Sequence, residues 1–436
     1  MADRYVYFFG ADETEGSKEM KDLLGGKGAG LAEMARIGVP VPPGFTITTE
    51  VCRLYLRAGT YPDGLAGQVA GALARLERAT GKTFGGSSSP LLVSVRSGAA
   101  FSMPGMMDTI LNLGLNDQTA AALAAESGDG RFAWDSYRRF VQMYADVVLG
   151  VHADQFSRRM DEMKRDRGVR EDTELTADDL RALTAEFKAL VHARTGKDFP
   201  EEPQDQLWGA IHAVFGSWET PRARAYRRIN NIADDLGTAV NVCSMVFGNM
   251  GTDSGTGVAF TRDPSTGEPR LYGEFLVNAQ GEDVVAGIRD PLPIEGMARA
   301  LPGAYAEFLD AARLLEDHFR DAQDLEFTVE RGHLYLLQTR NAKRTGRAAV
   351  RIAVEMVREG LIDTRAAVRR VAPEQIDQLL HPTIDTKAAP APIAIGLPAS
   401  PGAASGKIVF TVERALELAK DNIPVVLVRS ETSPED

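Results

Sequence analysis

A chain of 436 residues, 44% hydrophobic and 25% charged, has an ordinary globular composition and is long enough for about three domains without disulfide or metal staples. Its formal net charge of -12 argues against a broad nucleic-acid footprint, which needs a basic surface, but leaves room for a small basic pocket that takes phosphates. The two cysteines, Cys52 and Cys243, lie far apart in apolar surroundings and read as reduced buried thiols, and no Cys/His spacing fits a zinc site. Residues 1–30 lack a signal-peptide core, and no run of about 18 apolar residues suggests a membrane span. The expectation is a cytoplasmic protein with no membrane or nucleic-acid partner.

Residues 5–9 predict an opening strand. A run of glycines around a lysine follows (Gly25, Gly26, Lys27, Gly28, Ala29, Gly30), and 31–37 then has helical spacing. Pro40, Pro42 and Pro43 break the pattern and open an extended segment, and Thr48-Thr49-Glu50 starts a helix toward Ala58. Residues 91–95 predict a short strand ending at Arg96. From 117 to 199 the chain is rich in Ala, Glu, Arg and Lys at helical spacing, and Trp134, Tyr137, Val141, Tyr144 and Val148 form a core stripe. Thr176 starts a helix, and 207–229 is helical again. Glycine-rich β-like segments follow at 240–245, 255–261 and 270–277. Residues 325–329 and 334–337 predict a hairpin, and 348–360 an amphipathic helix capped by Gly360. After a Pro/Ala linker at 388–392, strand-like runs recur at 396–410 and 424–428. The order describes a mixed α/β (α+β) protein.

Four segments carry side chains suited to chemistry. The 25–30 run lets backbone approach phosphates closely at a helix start, with Lys27 as a point charge. It is not a Walker A loop, because Gly28 follows the lysine where a Ser or Thr would be needed, and on its own it is shared by flexible surface loops. Arg96 opens a loop where it could take phosphate oxygens bidentately or form a surface ion pair. The loop at 251–257, with Thr256 and Gly257, could wrap a triphosphate or be a plain hairpin turn. In the predicted hairpin, Asp324, Glu326, Gln338 and Arg340 could form one site or be surface-exposed polar residues of an edge hairpin: Glu326 and Gln338 are hard oxygen ligands suited to magnesium, and Arg340 could hold a terminal phosphate. Their sharing one face requires a three-residue loop, Glu330-Arg331-Gly332, that pairs 329 with 333 and holds Gly332 at positive φ. Glu274, Asn278, Gln280 and Glu282 could add polar lining or equally be ordinary strand-face residues. None of the six histidines has the glycine- or hydroxyl-rich context of a nucleophile.

These segments together resemble the pyruvate phosphate dikinase family over essentially the whole chain: LLGGKGAGLAEM at 23–34, SVRSGAAFSMPGMMDTILNLGLND at 94–117, GVAFTRDP at 257–264, GEFLVNAQGED at 273–283 and DLEFTV with LYLLQTR at 324–340. The resemblance implies an ATP-grasp fold with a first lobe at 1–116, a helical insertion at 117–199, a return to the first lobe at 200–245 and a second lobe at 246–343. A helical linker at 344–390 and the start of a swivelling phosphohistidine domain at 391–436 would follow. It implies a reaction that interconverts ATP, phosphate and pyruvate with AMP, pyrophosphate and phosphoenolpyruvate. Carried over by motif, Lys27, Arg96, Thr256, Gly257, Asp324, Glu326, Gln338 and Arg340 would bind ATP, Glu326 and Gln338 would hold Mg2+, and Arg340, Glu282 and Arg138 would act on the γ-phosphate and inorganic phosphate. The resemblance puts the catalytic histidine and the pyruvate site beyond Asp436, so no full turnover is expected of this chain alone, and it implies a homodimer for the longer enzyme. Two rival readings stay open here: a phosphoenolpyruvate synthase-like enzyme that uses water in place of phosphate, and a non-catalytic ATP-sensing module.

Overall fold

The computed structural model describes residues 3–103, 105–281, 283, 291–380, 384–385, 388–394 and 403–429. They group into two compact units, one comprising Met1–Thr256, Val277–Gln280 and Phe327–Thr339, the other Gly257–Leu276, Gly281–Glu326 and Arg340–Asp436.

The first unit opens with β1 (Val6–Phe9), α1 (Lys21–Arg36), β2 (Gly44–Ile47), α2 (Thr49–Ala58) and α3 (Leu65–Thr80). Two short strands, β3 (Thr83–Phe84) and β4 (Pro90–Leu91), precede β5 (Val93–Gly98) and β6 (Thr109–Leu113). Six helices follow: α4 (Asp117–Ser127), α5 (Gly130–Val147), α6 (Ala153–Arg167), α7 (Ala177–Thr195), α8 (Pro203–Ser217) and α9 (Pro221–Ile229), and then β7 (Ala239–Ser244). The strands form an antiparallel sheet in the order β1-β2-β7-β5-β6.

Alternation along these strands sorts the sheet into two chemically distinct faces. One cross-strand row runs Phe8, Phe45, Val242, Val95, Ile110. All five are buried in the main core, with Val51 of α2, Val69 and Leu73 of α3, and Ile211 and Phe215 of α8. At about 1.5–3 kcal/mol for each large side chain buried, this face holds the unit together. The next row runs Tyr7, Thr46, Asn241, Arg96, Thr109, and it points the other way. Arg96 therefore sits in the middle of β5 rather than at the end of a strand. Tyr137, Val141 and Tyr144 of the expected stripe are fully buried on α5, and Trp134 and Val148 pack at its edge. The single helix expected over 207–229 is two, because the Thr220 side chain caps α9 and Pro221 at its start has no N–H to continue α8. α3 and β6 were not among the expected elements.

The chain continues through β8 (Gly255–Phe260), β9 (Tyr272–Val277), β10 (Leu292–Pro293), α10 (Pro302–Phe319), β11 (Gln323–Glu330) and β12 (His333–Asn341). The second sheet has the order β10-β9-β8-β11-β12. Then come α11 (Gly346–Arg358), α12 (Thr364–Arg370) and α13 (Pro373–Gln378). Gly360 lies one residue beyond the cap of α11, at φ 77°, the left-handed position that ends so many helices. Within the second unit Ile352, Ala353 and Met356 of α11 pack with Ala322, Ala342, Ile362 and Ala367. Arg262, 3% exposed, is held there by Glu316 at 2.7 Å and Glu359 at 2.5 Å, with Glu355 at 3.9 Å. Farther on, β13 (Lys407–Val409), α14 (Val412–Lys420) and β14 (Val425–Leu427) make a small parallel β-α-β unit.

Candidate active site

In the first unit the glycine run shapes where α1 can lie. α1 is kinked at Gly25 (φ 69°, ψ 172°), and a Cβ there would fall 1.5 Å from the carbonyl oxygen of Gly98. Only glycine allows both the backbone conformation and the approach. The Gly26 N–H donates to the Ala99 carbonyl at 2.9 Å, so the new helix start butts against the end of β5. A Cβ on Gly28 would meet Asn241 Oδ1 and Thr46 at 2.8 Å, and one on Gly30 would lie 3.5 Å from the Thr339 carbonyl oxygen. The helix thus rests on the polar face of the sheet and beside β12. Lys27 stands in its first turn, where backbone N–H groups favour anions.

The turn that carries Lys27 lies against β5, the strand of Arg96: Lys27 Cβ is 3.6 Å from where a Cβ on Gly98 would fall. Burial pushes the Cys243 thiol up to about 11, while the nearby charges of Arg96 and Lys27 act in the opposite direction on it. Two cations and a glycine-rich helix start are residue types suited to phosphate oxygens.

Other candidates are placed differently. Thr256 and Gly257 lie inside β8 rather than in the loop before it, and the Thr256 hydroxyl donates to the Phe327 carbonyl at 3.0 Å. The loop itself is 251–254. It is tied down by Gly251 N–H to Asn278 Oδ1 at 3.1 Å and by bonds to the hairpin tip. Arg138 is buried on α5, its guanidinium bonded to Asp135 at 2.6 Å and Gln142 at 3.2 Å. Glu282 lies outside the described residues.

The hairpin corrects one expectation. Glu330 and His333 both belong to strands, so the loop has two residues, not three. Arg331 and Gly332 both have positive φ, 48° and 81°, as a tight primed turn requires. That turn pairs residues whose numbers sum to 663, yet Ala342 N–H donates to the Ala322 carbonyl at 2.8 Å, a sum of 664. The ladder therefore slips by one residue along its length, the signature of a β-bulge. Within the second unit the slip lets Arg340 Nε reach Asp324 at 2.7 Å. Burial pushes the Asp324 carboxyl up, Arg340 and Lys343 oppose this, and neighbouring Glu326 adds to it. In the first unit Gln338 is 6% exposed, and its Oε1 has no hydrogen-bond partner among the described residues.

The family model described as pyruvate phosphate dikinase, AMP/ATP-binding domain, matches residues 21–65, 57–300 and 304–361. The chain is 55% identical over 99% of its length to pyruvate, phosphate dikinase of Rhizobium meliloti, of which it covers 50%. It is likewise 55% identical over 99% of its length to the Clostridium symbiosum enzyme of that name, covering 50%, and to pyruvate, phosphate dikinase 2 of Zea mays, covering 49%. The chain belongs to the pyruvate phosphate dikinase family. It spans about half the length of the curated relatives it matches and carries the family's AMP/ATP-binding domain.

Several residues in this dikinase-family domain escaped sequence reasoning. Asp108, in the loop after β5, is pushed up by burial although Arg222 pairs with it at 2.5 Å, an ion pair between residues 114 apart. Thr46 and Asn241 lie buried in the polar row. Their signal was the alternation of β2 and β7, visible only once those strands are placed in one sheet. Among the described residues, no helix is long and apolar enough to cross a membrane.

Asp135 supplies an acid-stability prediction for the domain. Burial raises its carboxyl, but Arg138 and Arg139 outweigh burial and hold it far below the usual range. A depressed folded pKa stabilises the fold above the unfolded value of about 3.9, and this contribution disappears as pH falls through the folded value. Arg138→Ala is expected to destabilise the chain by about 1–3 kcal/mol at pH 7, with Arg139 still in place. It should also flatten the loss of stability below about pH 4 in urea titrations. An unchanged acid limb would refute the assignment.

Proposed function

We propose that the chain is the ATP-binding part of an enzyme that interconverts ATP, phosphate and pyruvate with AMP, pyrophosphate and phosphoenolpyruvate, through a phosphohistidine in a part of the protein outside this chain. The packing of the kinked helix start that carries Lys27 against β5, the strand of Arg96, carries the reading. The two units and their antiparallel sheets support an ATP-grasp architecture. Phosphoryl transfer asks the protein mainly for positioning and charge neutralisation. Lys27 and Arg96 neutralise phosphate oxygens, each worth roughly 4 kcal/mol at 4 Å and an effective dielectric near 20. Arg340, oriented by Asp324, is the cation for the terminal phosphate.

Magnesium fits the residues present. In the first unit the buried Gln338 oxygen has no partner among the described residues and is an acceptor suited to a ligand, and in the second unit Glu326 and Asp324 supply negative charge. No group of three or more His, Cys, Asp or Glu side chains poised for a metal occurs among the described residues. Gln338 in the first unit and Glu326 in the second are each a hard oxygen ligand of the kind taken by an ion that keeps waters and binds phosphate oxygens. When bound, it would neutralise charge on the phosphates.

Mg-ATP at 100 times its Kd is expected to stabilise the chain by about 2.7 kcal/mol, seen as a rise in Tm. Lys27→Ala should remove most of that rise. No shift at millimolar Mg-ATP would sink the proposal. Gln338→Leu makes a sharper case. Without nucleotide it is expected to be neutral or stabilising by up to about 1 kcal/mol, because it deletes an unsatisfied buried oxygen, while the magnesium-dependent part of the ATP shift is lost. A destabilised variant that keeps its magnesium response would mean that Gln338 is a structural residue.

A further inference from the structure

Asn241 is a residue that packing does not explain. It is fully buried; its Oδ1 accepts from the Thr46 hydroxyl at 2.8 Å, and its Nδ2 has no hydrogen-bond partner among the described residues. A buried donor without a partner destabilises a fold, and a β-branched apolar residue would fill a central strand without that cost. The position is also specific. Asn241 lies directly across from Arg96 on one side and from Thr46 on the other. Above it two backbones approach so closely that neither could carry a side chain. A Cβ on Gly28 would fall 2.8 Å from Oδ1, and one on Gly98 would fall 2.5 Å from Nδ2 and 3.6 Å from Lys27 Cβ. The amide therefore lies between the turn that carries Lys27 and the strand that carries Arg96, close against the backbone of Gly28 and Gly98. Backbone is less able to give way than a flexible side chain, so the amide's volume sets the separation. Thr46 fixes the amide in turn.

Resting on the reading of this site as a nucleotide site, we propose that Asn241, held by Thr46, is a positioning residue for the outer phosphates of ATP. It sets the spacing of the Gly26–Gly28 turn over β5, and with it the spacing of Lys27 and Arg96. Its Nδ2 dipole adds positive potential beneath the same cradle, preorganised and shielded from water.

The test is calorimetric titration of the 436-residue chain with Mg-ATP and, separately, with AMP, which lacks the outer phosphates. Thr46→Val keeps the shape and removes the hydroxyl; Asn241→Ala removes the spacer. Each is expected to weaken Mg-ATP by about tenfold and AMP by less than about twofold, and the double variant should be no weaker than Asn241→Ala, because Thr46 acts only through Asn241. A parent chain that binds neither nucleotide would overturn the nucleotide reading itself. A parent that binds Mg-ATP, with variants that match it or that lose AMP in equal proportion, would overturn the positioning role alone. Thr46→Val carries the test if Asn241→Ala fails to fold, since its change is one hydroxyl.

Discussion

Gly25→Ala is expected to abolish Mg-ATP binding and to lower stability by more than a positive-φ substitution alone can. Gly25 combines φ 69° with a Cβ position 1.5 Å from the Gly98 carbonyl oxygen. The left-handed conformation costs an L-residue about 1–2 kcal/mol. The overlap is with backbone, so β5 or the helix start must move as well. That movement breaks the 2.9 Å bond from Gly26 to Ala99 and carries Lys27 away from Arg96. Gly38, just beyond the other end of α1, is an internal control: its φ is 82°, but a Cβ there meets nothing within 4 Å. Gly38→Ala should therefore show only the conformational cost, about 1 kcal/mol, and bind Mg-ATP normally. Urea denaturation and nucleotide titration of both variants decide the matter. If Gly25→Ala binds within about twofold of the parent, the glycine run is not the cradle proposed here.

The second large effect lies in the second unit and concerns stability alone. Arg262→Met is expected to destabilise by about 2–3 kcal/mol, because it removes the buried guanidinium that the part-buried Glu316 and the exposed Glu359 share as their counter-charge. At about 2–4 °C per kcal/mol, the calorimetric midpoint should fall by roughly 4–12 °C. Arg262→Lys should recover little, since a point charge cannot engage both carboxylates as the planar fork does. Adding Glu316→Gln and Glu359→Gln to Arg262→Met should recover part of the loss by discharging the orphaned acids. A midpoint within about 2 °C of the parent for Arg262→Met would show that water reaches these groups.

Much of this was legible along the chain, for local reasons. The α5 stripe shows because 3.6-residue periodicity is written in neighbouring positions, and the Thr176 start of α7 because capping uses residues three apart. The glycine run announced a close approach of backbone, though not to what. The hairpin shows where local rules stop. Both candidate loops put Gly332 at positive φ, and they differ over Arg331, which local preference keeps out of the left-handed region. In the folded chain Arg331 N–H donates to Ser254 Oγ at 3.0 Å and Gly332 N–H to the Asp253 carbonyl at 2.8 Å. The 251–254 loop, some 80 residues upstream, thus selects the two-residue turn, and the bulge then restores the meeting of Asp324 with Arg340.

The sequence by itself determined the helices and strands that repeat their pattern within a few residues, the family, and the identity of Lys27, Arg96, Glu326, Gln338 and Arg340 as candidates. Only the tertiary structure decided which of them meet. The polar row Thr46, Asn241, Arg96 draws on three strands up to 195 residues apart, and whether each side chain faces the core or the cradle depends on pairing register. A shift of one residue in any strand would exchange its two faces, and no local propensity encodes that choice. It is set by the burial of Phe45, Val95 and Val242 on the opposite face, where the apolar core leaves the polar row no other side to take.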